Sequence, residues 1–113
     1  MKAAWNGRCW TRAILGELQA ALEDCNKALQ SEPADAATYD SRGLTYMKMG
    51  QFDSAIDDYN SALRFEPKLA SALYGRGLAK LKKGDKAGSD ADISAAKTIQ
   101  AKIVEEFTRY GVQ

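Results

Sequence analysis

The sequence predicts an all-α protein: three antiparallel helix-turn-helix hairpins stacked in a row, with a seventh helix as a cap. Three observations predict it. Four residue types recur at a spacing of 34 positions across the 113 residues, namely Arg8, Arg42 and Arg76; Gly16, Gly50 and Gly84; Asp24, Asp58 and Asp92; Ala28, Ala62 and Ala96. Within a unit, residues such as Tyr39, Arg42, Gly43 and Tyr46 fall on one face of a helix. Breakers fall at the same interval. A glycine stands mid-unit, where it can take the left-handed conformation of a helix stop, and Pro33 and Pro67 close the first two units by disfavouring helix at the residue before them.

Taken in order, this predicts helices over about 2–15, 18–31, 36–48, 52–65, 70–82 and 86–98, in units 2–35, 36–69 and 70–103. Ala101 stands where the other units have proline, so the sixth helix is expected to bend or to run on. In the last stretch Ile103, Val104, Phe107 and Tyr110 are helically spaced, with Lys102, Glu105, Glu106 and Arg109 opposite them. A seventh helix over about 100–111 is expected to cover the open end of the stack, because a hairpin in an array buries its apolar face only against its neighbours. At the other end Trp5 and Trp10 fall on different faces with no covering segment. Further chain upstream, or a homo-oligomer formed through that N-terminal end, is the expectation there.

The middle unit carries a specific pattern: Tyr39, Gly43 and Tyr46 before Gly50, then Ala55, Tyr59, Ala62 and Pro67. This order and spacing resembles the tetratricopeptide repeat. The resemblance implies one domain over 1–113 coiled as a right-handed superhelix, with the first helix of each repeat lining a concave groove. It also implies a non-catalytic scaffold for protein–protein interaction. The outer units depart from the pattern at Cys9, Arg12, Cys25, Lys80 and Ile93.

Composition narrows the function classes. Lys plus Arg number 16 and Asp plus Glu 15, a formal charge of +1, with no block of like charge, so neither a nucleic acid nor a membrane surface is an expected partner. There is no histidine, no Gly-rich phosphate loop and no nucleophile with a base, so no enzyme, cofactor or metal is expected. The adjacent acids Glu23 with Asp24 and Asp57 with Asp58 point in different directions on a helix and make no acid–base dyad. The chain as given shows no signal peptide, which makes a cytoplasmic location the default, and a periplasmic or secreted one if Cys9 and Cys25 are oxidised.

Residues equidistant from a hairpin turn lie across from each other. Arg8 and Asp24, Arg42 and Asp58, and Arg76 and Asp92 meet that condition, so each hairpin is expected to carry a partly buried Arg–Asp bridge. Cys9 and Cys25 obey the same symmetry. Their sulfurs should face each other, either bonded in an oxidising compartment or as two buried thiols. The counterparts Gly43 with Tyr59 and Gly77 with Ile93 read as small-against-large packing pairs. Two thiols with no third ligand make no zinc site.

The family resemblance places the groove residues at Asn6, Trp10 and Ile14; Asp40, Leu44, Met47 and Lys48; and Tyr74, Leu78, Leu81 and Lys82. The centre of that groove is apolar, and two readings follow. It clasps an apolar peptide or amphipathic helix from a protein partner, or it is filled by an upstream segment or a second copy, making the chain a structural or oligomerisation domain. A subfamily that clamps the carboxylate of chaperone tails uses Lys, Asn and Arg at positions where this chain has Asn6, Trp10, Ser41, Ser71 and Gly75, so chaperone-tail binding is not expected. Lys48, Lys82 and Lys83 lie near helix ends, where they suit a solvated edge or the helix C-terminal dipoles.

Overall fold

A computed structural model describes residues 2–112. Its helices are α1 (Lys2–Leu15), α2 (Leu18–Ser31), α3 (Ala36–Met49), α4 (Phe52–Phe65), α5 (Ala70–Lys82), α6 (Lys86–Ile99) and α7 (Ile103–Arg109). They form three hairpins, α1–α2, α3–α4 and α5–α6, with α7 following the third, and the described residues contain no strand.

The turn glycine sets each hairpin. Gly50 has φ 77°, a conformation that side chains with a Cβ rarely adopt. Its amide donates to Met47 O (3.1 Å) and that of Gln51 to Tyr46 O (2.9 Å), a Schellman closure that satisfies the last carbonyls of α3. The same two bonds recur after α1, around Gly16, and after α5, around Gly84.

The sixth helix neither bends nor runs on. It stops at Ile99 without a proline, and Gln100 takes the extended conformation (φ −142°) that Glu32 and Glu66 adopt after α2 and α4. The stop lets the chain reverse and bury Ile103 and Phe107, which a continuous helix would carry away from the stack. The side chain of Gln100 then donates to Glu106 of α7, pinning the reversal.

One repeat position differs among the three hairpins and determines how each is filled. In the second hairpin Tyr59 of α4 is fully buried against Gly43 of its own hairpin and Gly75 of the next. In the third, Gly77 receives Ile93. In the first, Cys9 and Cys25 are joined by a disulfide, with Cα atoms 5.4 Å apart. A small residue on the first helix thus admits a large one from the second, except where two sulfurs make the link covalent.

Each hairpin also carries a bidentate ion pair. Arg8 donates from Nε and Nη2 to both oxygens of Asp24, at 2.8 Å each. Arg42 holds Asp58 in the same way at 2.8 and 2.7 Å, and Arg76 holds Asp92 at 2.8 Å twice. All three aspartates are buried. Arg42 and Arg76 additionally donate to Asn26 and Asn60 of the preceding hairpin, linking neighbours. The departures at positions 12 and 80 acquire a reason: Arg12 adds a second cation to Asp24 (2.8 Å) and Lys80 one to Asp92 (3.0 Å). The Arg8 hydrogen bonds, helped by Arg12, hold Asp24 below the usual carboxylate range. At Asp92 burial pushes upward, but Arg76 and Lys80 outweigh it. Asp58 has a single cation, since Tyr46 occupies the corresponding position, and burial prevails there and raises the carboxyl.

The close approach of glycine to Tyr59 makes a sharp prediction. A Cβ at Gly75 would lie 2.4 Å from Tyr59 Cζ, whereas one at Gly7, also helical, would meet nothing within 4 Å. Gly75→Ala should therefore destabilise by about 1–3 kcal/mol, and Gly7→Ala should stabilise by about 0.5–1 kcal/mol. Urea denaturation of the two variants beside the parent measures both signs.

Candidate functional site

The first helices α1, α3 and α5 bring Asn6, Asp40 and Tyr74 to equivalent positions, and likewise Trp10, Leu44 and Leu78. Leu44, Met47, Tyr74 and Leu78 are all buried, so the stripe expected to lie open as an apolar groove is covered. α7 forms part of its cover. Ile103 and Phe107 of α7 are each 1% exposed, the Phe107 ring stands edge-on to Tyr74 at 4.8 Å, and Tyr110 meets Trp10 edge-on at 5.2 Å. α7 packs on the third hairpin, and Tyr110, just beyond its end, carries the C-terminal segment across to Trp10 of the first. The chain's own C-terminal segment packs on part of this stripe, at Tyr74 through Phe107 and at Trp10 through Tyr110.

Lys48 secures this arrangement. Its Nζ donates to the carbonyls of Ile14 (3.0 Å) and Tyr110 (2.8 Å), placing a cation on the C-terminal ends of α1 and α7 at once. Burial lowers its pKa. Ile14 is half-buried beside it, while Leu81 and Lys82 remain exposed, Lys82 at the rim of a depression of about 220 Å³ with Met47 and Val112.

Between α7 and the first helices a cleft of about 360 Å³ stays open. Asn6 and Trp10 of α1, Asp40 and Ser41 of α3, Ser71 of α5, Ile103 and Glu106 of α7, and the flanking Gln100 and Tyr110 line it. Of these, sequence reasoning chose only Asn6, Trp10 and Asp40 for the groove. Glu106, expected on the outer side of α7, is half-buried in the cleft, and Val104, expected inward, is 37% exposed. The signal was present: 103, 106, 107 and 110 follow the i, i+3, i+4, i+7 spacing more closely than a stripe that includes 104.

Neutral donors hold the polar groups of the cleft. Ser41 Oγ donates to Asn6 Oδ1 (2.8 Å), Ser71 Oγ to Asp40 Oδ2 (2.5 Å), and Gln100 and Tyr110 both donate to Glu106. Among the described residues, no lysine or arginine pairs with Asp40 or Glu106. Asp40 is 7% exposed, and burial pushes its carboxyl up to about 7; Ser71 opposes the rise, and Glu66 adds to it.

The comparisons with known proteins agree with this architecture. Residues 43–84 match a family model described as TPR repeat. No curated protein sequence matches the chain. The Arabidopsis OM64 TPR domain superposes with a TM-score of 0.85 at 16% identity, over 97% of this chain and 91% of that one. The second TPR of Spaghetti (RPAP3), bound to an HSP90 peptide, superposes with a TM-score of 0.82 at 18% identity, over 88% and 92%. The chain has the tetratricopeptide-repeat fold. MamA is similar at 25% identity with a TM-score of 0.79 over 93% of this chain, which spans only 61% of the MamA chain. Seven helices fit three tetratricopeptide repeats and a capping helix.

Asp40 supplies a prediction with a definite sign. Its carboxyl is raised in the folded state, so the unfolded chain ionises first as pH rises from about 4, and Asp40 subtracts increasingly from stability until about pH 7, where the folded form also ionises. Asp40→Asn should raise the melting temperature at pH 8 and raise it less at pH 5. Thermal melts of both proteins at the two pH values check this.

Proposed function

We propose that this chain is a non-catalytic scaffold that binds a segment of a partner polypeptide in the cleft between α7 and the first helices. The observation that carries the reading is the open cleft itself, with aromatic walls at Trp10 and Tyr110 and polar groups converging from four helices. The structural likeness to a TPR domain bound to an HSP90 peptide supports a peptide as the class of ligand. Binding through the apolar stripe alone is disfavoured, because Leu44 and Leu78 are already buried in the core. A peptide's terminal carboxylate suits this cleft poorly, since the lining includes Asp40 and Glu106 and no lysine or arginine.

Panning a displayed library of random twelve-residue peptides tests the reading. Peptides should be enriched on the parent chain and lost on Trp10→Ala and on Ser41→Lys, with helical circular dichroism unchanged. Absence of enrichment, or enriched peptides that bind both variants equally, would remove the cleft as the site.

A further inference from the structure

Four aspartates are buried in this protein: Asp24, Asp40, Asp58 and Asp92. Three are gripped bidentately by an arginine, and two of those have a second cation. Burying a carboxylate without such a partner is strongly unfavourable, because the desolvation penalty is left uncompensated. Asp40 is the exception. It is more than nine-tenths buried, one oxygen accepts from Ser71, and the other accepts from no described residue. That second oxygen is not among the described buried atoms sealed off without a hydrogen bond, which are Tyr59 Oη and Ser89 Oγ, and Asp40 lines the cleft.

We propose that the cleft takes a cationic side chain, the guanidinium of an arginine or the ammonium of a lysine carried on the partner peptide, with Asp40 as its counter-charge. This rests on the peptide-binding reading above and names the chemistry that the cleft selects. Glu106, held by Gln100 and Tyr110, presents a second carboxylate in the same space. The Trp10 and Tyr110 rings add faces on which a cation can rest. Several of the protein's own cations are committed elsewhere: Arg8, Arg42 and Arg76 to their aspartates, and Lys48 to two helix-end carbonyls. The incoming charge would complete at Asp40 the pairing that every other buried aspartate already has, and in a desolvated site a charge-assisted bond of that kind is among the stronger polar interactions.

The test uses N-acetyl-arginine methylamide and its citrulline counterpart, an isostere of nearly the same shape without the charge, titrated into the full chain while the Trp10 indole and Ser71 amide resonances are followed. The arginine probe should shift both resonances and bind about tenfold more tightly than the citrulline probe or better. Asp40→Asn and, separately, Glu106→Gln should narrow that ratio, with Glu106→Gln serving where the first variant perturbs folding. Equal binding of the two probes in the cleft would overturn the charge selection while leaving peptide binding standing. Absence of any shift with either probe would also overturn it, and the panning experiment judges the peptide-binding reading independently.

Discussion

The structure turns on one constraint, that a carboxylate taken out of water must meet a cation. In each hairpin an arginine of the first helix reaches an aspartate of the second, and the bidentate geometry fixes both the rotation and the height of the two helices relative to one another. The side nitrogens of Arg42 and Arg76 extend the tie to an asparagine of the hairpin before. Packing follows from the register so set: Tyr59 finds Gly43 and Gly75 opposite it, Ile93 finds Gly77, and Cys9 stands across from Cys25. Asp40 is the one buried aspartate to which the constraint does not apply within the chain, and it lies where the structure opens.

The second organising fact is the course of α7. A hairpin in a repeat array leaves apolar surface where it has no neighbour, and α7 packs on the third hairpin with Ile103 and Phe107 inward, Phe107 against Tyr74. Tyr110 carries the cover across to Trp10, and Lys48 holds its end. The apolar stripe thereby becomes core, and the remaining cleft is polar, acidic and aromatic-walled. The proposed ligand would then be selected by charge at a narrow opening more than by breadth of apolar contact.

Much of this was legible in the sequence. The six long helices emerge within a residue of their expected ends because glycine and the chain reversals recur at a fixed spacing, and the equal distances of Arg42 and Asp58 from Gly50 are visible in the same spacing. Helical periodicity says which residues share a face, but it does not say what packs on that face. Leu44, Met47, Tyr74 and Leu78 could thus be grouped correctly and still be assigned to solvent, because the segment that buries them is distant in the chain. The sixth helix illustrates the same point, for Ala101 lacks the local stop that proline supplies, and the stop comes from the burial that follows it. Arg12 and Lys80 depart from the repeat pattern, and the neighbouring Asp24 and Asp92, across the hairpin, supply the reason. Glu106 was misassigned because Val104, an apolar residue, drew the face one position round the helix.

Asp40 thus lines the cleft without a cation among the described residues, and the proposed ligand chemistry depends on it. The most direct measurement is a carbon-detected NMR titration of the aspartate side-chain carboxyls in the folded chain. Asp40 should titrate near pH 7, apart from Asp24 and Asp92, which should stay ionised to below the usual aspartate range. An Asp40 carboxyl that titrates with the exposed aspartates near pH 4 would contradict the account, because it would mean that the charge is already solvated or paired.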